Sequence, residues 1–184
     1  MAERYPTLAG GQRITASLLR SMLPQTARKT ADTSITASAT TVADPHLQFE
    51  VEANGVYIWN AMIVYDGHID GDLNVDFTAP SGSAGEWGGA GAGRPVTGAS
   101  ATPTLRIDTA GVSGYLIRTE TSDVSAARSY GCLGVGTTLS LLLAGVLRTG
   151  STSGTFSLDW AQQASHATAT TLYTDSYMWL QRTA

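Results

Sequence analysis

The densest concentration of ligand-type side chains is the run DGHIDGD, in which Asp66, His68, Asp70 and Asp72 occupy alternate positions and would aim oxygen and nitrogen donors at one cation. The run departs from a helix–loop–helix calcium loop. Its third position is His68, its twelfth is Phe77, and no helical pattern flanks it. Asp-Gly pairs between two strand patterns make turns without any ion, so no metal is expected, and these four residues stand only as a weak metal candidate. Nucleophilic catalysis needs a serine or thiol beside an oriented base, and the chain offers His46, His68 and His166. It has no G-x-S-x-G elbow; the nearest stretch, Gly111-Val112-Ser113-Gly114, lacks the spacing. Cys132 has no activating neighbour in the sequence. Glu50 and Glu52 share one strand face, while Asp76, Asp108, Glu120 and Asp159 are scattered, so no carboxylate pair is set up for glycoside hydrolysis. The Gly89 to Gly93 run is followed by Pro95 and not by a helix that could cradle a phosphate. The expectation is a non-enzymatic protein with no catalytic residues and no cofactor.

The chain has 184 residues, of which 14% are charged and 20 are glycine, a profile that suits a β-rich fold with small polar residues on its surface. Lys plus Arg is 11 against 15 for Asp plus Glu, and a net charge of -4 offers no broad cationic face to nucleic acid. The start, MAERYPTLAGG, lacks the basic and apolar regions of a signal peptide, and the longest apolar run, Leu139 to Leu147, is too short for a membrane helix. Neither nucleic acid nor membrane is an expected partner.

One helical signal is present. Between Arg13 and Leu23, residues Ile14, Leu18, Leu19 and Met22 fall on one stripe, Thr15 can cap the start and Pro24 ends the run. A helix this short is marginal alone, so the stripe either packs on its own domain or anchors the chain to a partner. Residues 25–43 carry little apolar surface and read as an extended arm: a tether, or a strand laid along a neighbour's edge. The expected division is an arm and anchor over 1–45 and a β domain over 46–184.

From Leu47 the texture becomes alternation. Leu47, Phe49 and Val51 point one way, and Asn54-Gly55 then predicts a hairpin. Val56 to Tyr65 is apolar on both faces, with Val56, Ile58, Met62 and Val64 on one and Tyr57, Trp59, Ala61, Ile63 and Tyr65 on the other. Leu73, Val75 and Phe77 mark a third strand, and residues 81–100, glycine-rich around Trp87, read as a long exposed loop. Further strands are expected at Thr104 to Asp108, Val112 to Glu120, Thr137 to Arg148, Thr155 to Gln163 and Tyr177 to Arg182. The pattern implies an all-β chain: an antiparallel β-sandwich (jelly roll) of about eight strands behind an extended N-terminal arm with one short helix. Val56 to Tyr65 and Tyr177 to Leu180 carry more apolar surface than one sandwich hides, which leaves core packing and association of identical subunits both open.

The runs GQRITASLLRSMLP, KTADTSIT, ADPHLQFEVEANGVYIWNAMIVYDG, GDLNVDFTAPSGSAGEW and GTFSLDWAQQASHATATTLYTDSYMWLQR resemble small virion surface proteins of phages that infect actinobacteria, labelled minor tail, fibre or capsid decoration proteins. The C-terminal part also resembles the TNF/C1q-like jelly roll, which trimerises through aromatic and aliphatic strand faces. The resemblance implies a homotrimer on the virion surface, made in the host cytoplasm without a signal peptide and bound to a major capsid or tail protein. Under it, Ile14, Leu18, Leu19 and Met22 form the virion anchor and Tyr57, Trp59, Tyr177 and Trp179 the oligomer interface. The alternative is a receptor-recognition module at the tail tip, with the loop around Trp87 gripping a host-surface glycan.

Overall fold

The computed structural model describes residue 6, residues 8–93 and 124–184, and the backbone of 115–120. One short helix, α1 (Ala16–Ser21), precedes twelve strands: β1 (Gln25–Arg28), β2 (Thr33–Ile35), β3 (Val42–Val51), β4 (Val56–Asp66), β5 (Leu73–Thr78), β6 (Ala84–Ala92), β7 (Tyr115–Glu120), β8 (Arg128–Tyr130), β9 (Leu139–Arg148), β10 (Gly154–Gln162), β11 (Thr170–Leu172) and β12 (Tyr177–Arg182). The strand expected at Thr104 to Asp108 lies outside the described residues.

All pairings are antiparallel, and the strands form two sheets. The larger runs β1-β12-β4-β9-β6-β7, with β11 and β2 extending it beside β4; the smaller runs β3-β10-β5-β8. From β3 onward the chain alternates between sheets, except that β6 and β7, and again β11 and β12, follow one another in the larger one, and the two layers make a β-sandwich. The expected class is what forms.

The core lies between the sheets because alternation sends every second side chain inward. Leu47, Phe49, Val51, Leu73, Val75, Phe77, Phe156 and Leu158 from the smaller sheet meet Tyr57, Trp59, Ala61, Ile63, Leu141, Leu143 and Leu180 from the larger. At its centre Trp59 lies 4.7 Å from Phe77 and 5.6 Å from Phe156, and Trp87 meets Phe77 edge-on at 5.1 Å.

Four expectations are corrected. Asn54-Gly55 joins no hairpin: β3 pairs with β10 and β4 with β9 and β12, so this turn carries the chain from one sheet to the other. The inward faces of β3 and β4 need each other across the core, which outweighs the local preference of Asn-Gly for a two-residue hairpin. Asn54 still takes the left-handed φ of 54° the turn requires.

Residues 25–43 are not a free arm. β1 pairs with β12, β2 with β11, and the boundary expected at 45 falls inside β3. The main chain supplies what apolar side chains do not: edge strands gain ladder hydrogen bonds without a large buried face. Lys29 adds a fully buried ion pair, its Nζ 2.5 Å from Asp44.

Within the stretch 81–100 expected as a loop, residues 84–92 are strand, and residues 94–100 lie outside the described residues. β6 faces inward through Gly85, Trp87, Gly89 and Gly91, and it pairs with β9 along its length. Glycine is required there because the other layer and the adjacent strand both crowd the backbone: a Cβ at Gly89 would stand 1.9 Å from Tyr130 Oη of β8 and 2.8 Å from Leu143 Cδ2 of β9. Gly89→Ala is therefore expected to cost about 1–3 kcal/mol through overpacking, read as a lowered urea midpoint at unchanged slope. Finally, the helix is shorter than Arg13 to Leu23, although Thr15 caps it as expected, its Oγ1 accepting from Leu18 N–H at 3.2 Å.

Candidate functional site

The two outer sheet faces differ in chemistry. On the smaller sheet the outward residues form polar cross-strand pairs: Thr155 donates to Glu50 at 2.9 Å, Thr78 to Asp159 at 2.6 Å and Ser129 to Asn74 at 3.3 Å. Such a face is complete in water.

The outer face of the larger sheet is apolar. The strand registers align Tyr177, Met62, Leu142 and Ala90 in one row, Trp179, Asn60, Ala144 and Gly88 in the next, and Gln181, Ile58, Val146 and Glu86 in a third, where Glu86 brings charge at the β6 end. Leu142 is 49% exposed, Tyr177 40% and Ile58 39%, with Met62, Val146 and Trp179 half-buried beside them. No outward position of β4 or β12 in these rows bears a charge. Charged groups stand at the margins instead: Arg28 with Asp175 at one edge, and Arg148 with Glu86 at 3.2 Å at the other end. A shallow groove lined by Pro24, Thr26, Tyr177 and Trp179 continues the patch onto β1.

The expected interface set divides along the pleat. Tyr177 and Trp179 lie on this outer face, whereas Tyr57 and Trp59 point the other way and are 2% and 1% exposed within the core. The outward partners on β4 are Ile58 and Met62. Period two was legible in the sequence, but which phase faces inward depends on the partner strands β3, β5 and β10. Trp87, expected as an exposed ligand-gripping ring, is 2% exposed and packs on Phe77.

No protein-family model, curated protein or solved structure matches the chain.

At the N-terminus, α1 buries none of its residues; Ile14 is 71% exposed, Leu19 54% and Met22 43%, with Leu18 half-buried. The stripe is thus mostly exposed, while Arg20, Ser21 and Leu23 border a shallow pocket shared with Tyr57 and Leu180 of the sandwich. No helix among the described residues is long and apolar enough to cross a membrane.

The DGHIDGD carboxylates do not converge. Asp66 and Asp72 are 1% and 2% exposed and already engaged: Asp66 accepts from Gly136 N–H at 2.6 Å and from the Tyr173 hydroxyl at 2.8 Å, and Asp72 from Cys132 N–H at 3.0 Å. The Asp66 hydrogen bond holds the Tyr173 phenol above its ordinary pKa. These acids fix the β4–β5 turn against the segment after β8, a structural use of buried carboxylates. Cys132 lies beneath them. Burial, and then the charges of Asp72 and Asp66, push its thiol up to about 12, which leaves it a packed hydrophobe and not a nucleophile. His68 and Asp70 stay near the surface and are joined by His166, from a loop nearly a hundred residues on in sequence, so only the fold brings the three together.

Proposed function

We propose that this chain is a non-enzymatic structural protein of a phage virion: a homotrimeric surface projection, as capsid decoration, head fibre or minor tail protein, held to the particle through the residues preceding Pro24. The observation that carries the self-association is the contrast between the two outer faces, one hydrogen-bonded and polar, the other largely apolar across β12, β4 and β9 and broken only by the uncharged Asn60 and Gln181 on those strands. A patch of that character, rimmed by charge, is characteristic of a protein–protein contact. Copies of the same chain are the cover we assign to it. The number three, and the particle as the larger partner, come from the resemblance of the sequence runs to virion proteins.

Attachment through the N-terminus is supported by the exposed stripe of α1, a helix that buries none of its residues. A short helix that docks when it meets its partner binds weakly in isolation, and three of them on one trimer multiply that affinity through effective concentration. A chain lacking residues 1–24 keeps every strand and is expected to fold and associate as the full chain does, while its incorporation into particles falls to background. The checks are sedimentation and quantification of the protein in purified virions. Undiminished incorporation would overturn the anchor.

A further inference from the structure

We propose that His68, Asp70 and His166 form a surface site for a divalent transition-metal ion of the zinc class. Their ligand atoms all lie within 4.8 Å of one another, and the two imidazoles stack at 3.9 Å and 10°. Two imidazoles and one carboxylate suit zinc, nickel or copper and not calcium, which prefers a shell of oxygens. Three protein ligands leave at least one position for water.

The site is held by backbone before any ion arrives. His68 O accepts from Gly71 N–H at 3.0 Å and from Asp72 N–H at 3.1 Å, closing a turn that aims His68 and Asp70 the same way. Gly71 O then accepts from Gln163 N–H at 2.9 Å and Ala164 N–H at 3.0 Å, which ties the β4–β5 turn to the loop bearing His166. Gln162, fully buried, fastens that loop from below: its Oε1 accepts from His166 N–H at 2.9 Å and its Nε2 donates to Thr168 O at 2.7 Å. Two loops far apart in sequence are thus held with two imidazoles face to face, an arrangement for which the proposed assembly has no use.

His166 Nδ1 already accepts from Thr168 N–H at 3.0 Å, so the ion displaces that contact or binds at Nε2. His68 Nδ1 lies 3.5 Å from the Asp70 carboxylate and accepts from Asp70 N–H at 3.2 Å; the ion replaces that amide contact. Asp70 is exposed and free to turn inward, and the rings fan out of their parallel stack until donor separations approach the roughly 3.3 Å edge of a tetrahedron with bonds of about 2.0–2.1 Å.

The test uses untagged full-length protein stripped with a chelator and titrated calorimetrically with Zn²⁺, with Co²⁺ as a spectroscopic probe. One ion per chain is expected, with a visible Co²⁺ absorption band. At a hundredfold excess over Kd, Zn²⁺ should raise the melting temperature by about 5–10 °C. His166→Gln and His68→Gln should each weaken binding at least tenfold while leaving the circular dichroism unchanged, and Asp66→Asn should retain the Co²⁺ band. Absence of saturable binding, or binding unchanged in the double histidine variant, would overturn the proposal. Trimer formation without metal bears on the assembly and not on this site.

Discussion

Trp59→Ala is expected to remove about 3–5 kcal/mol of folding stability, the largest loss from any single truncation in this core. Trp59 is 1% exposed at the middle of β4, the strand flanked by β9 and β12, and its ring is in contact distance of both Phe77 and Phe156 of the opposite sheet. Removing it empties the space that joins the two layers and leaves Phe77 and Phe156 without their shared partner. Gly145 on β9 deepens the effect: a Cβ there would stand 2.6 Å from both the Trp59 ring and Glu86 O, so the position facing the indole carries no side chain that could fill the gap. Against a total of about 5–15 kcal/mol for an ordinary domain, the variant sits at the edge of folding. Its melting temperature, at fixed protein concentration, should fall by about 10 °C or more. Trp59→Phe should cost far less, because the indole N–H has no hydrogen-bond partner among the described residues to lose. A Trp59→Ala variant as stable as the parent would contradict the interior placement of this residue.

Lys29→Met is expected to cost about 3–5 kcal/mol for a different reason: it leaves the Asp44 carboxylate buried and uncompensated. Both side chains are 0% exposed, Lys29 Nζ also donates to Thr33 Oγ1 at 2.8 Å, and Asp44 Oδ1 accepts from His46 N–H at 2.9 Å. The pair binds the segment linking β1 and β2 to β3, and the main chain reinforces it, with Lys29 N–H donating to Ser176 O at 2.8 Å. The Lys29→Met, Asp44→Leu double variant should recover much of the loss, since an apolar pair of similar volume removes both desolvated charges together. Urea denaturation of the two singles and the double reads the coupling directly. Additive losses would mean that the two groups do not share one buried site.

These two residues mark where the sequence was legible and where it was not. Strict alternation at Leu47, Phe49 and Val51, and again at Leu73, Val75 and Phe77, identified strands and their inward faces, because a half-buried strand leaves that period in one short window. β4 left no such clue: with both faces apolar, only its neighbours decide that Trp59 lies inside and Ile58 outside. The segment of Lys29 reads as polar linker because its strands are short and its stabilising contacts are main-chain bonds and one buried charge pair, neither of which leaves a hydrophobic pattern. β6 looked like a loop because its glycines answer to Tyr130 and Leu143, residues distant in sequence. The clustering of His68 with His166 was hidden for the same reason, while Asp66 and Asp72, attractive by spacing, are occupied by backbone donors from other segments.

The association of the large-sheet face is the claim on which the account depends, and sedimentation equilibrium of the untagged full chain at micromolar concentration tests it most directly. A single species of three times the chain mass is predicted, converted to a folded monomer by Leu142→Glu or Trp179→Glu, each of which places a charge within the apolar rows. A monodisperse monomer for the unaltered chain, with Tyr177 and Leu142 remaining in water, would contradict it.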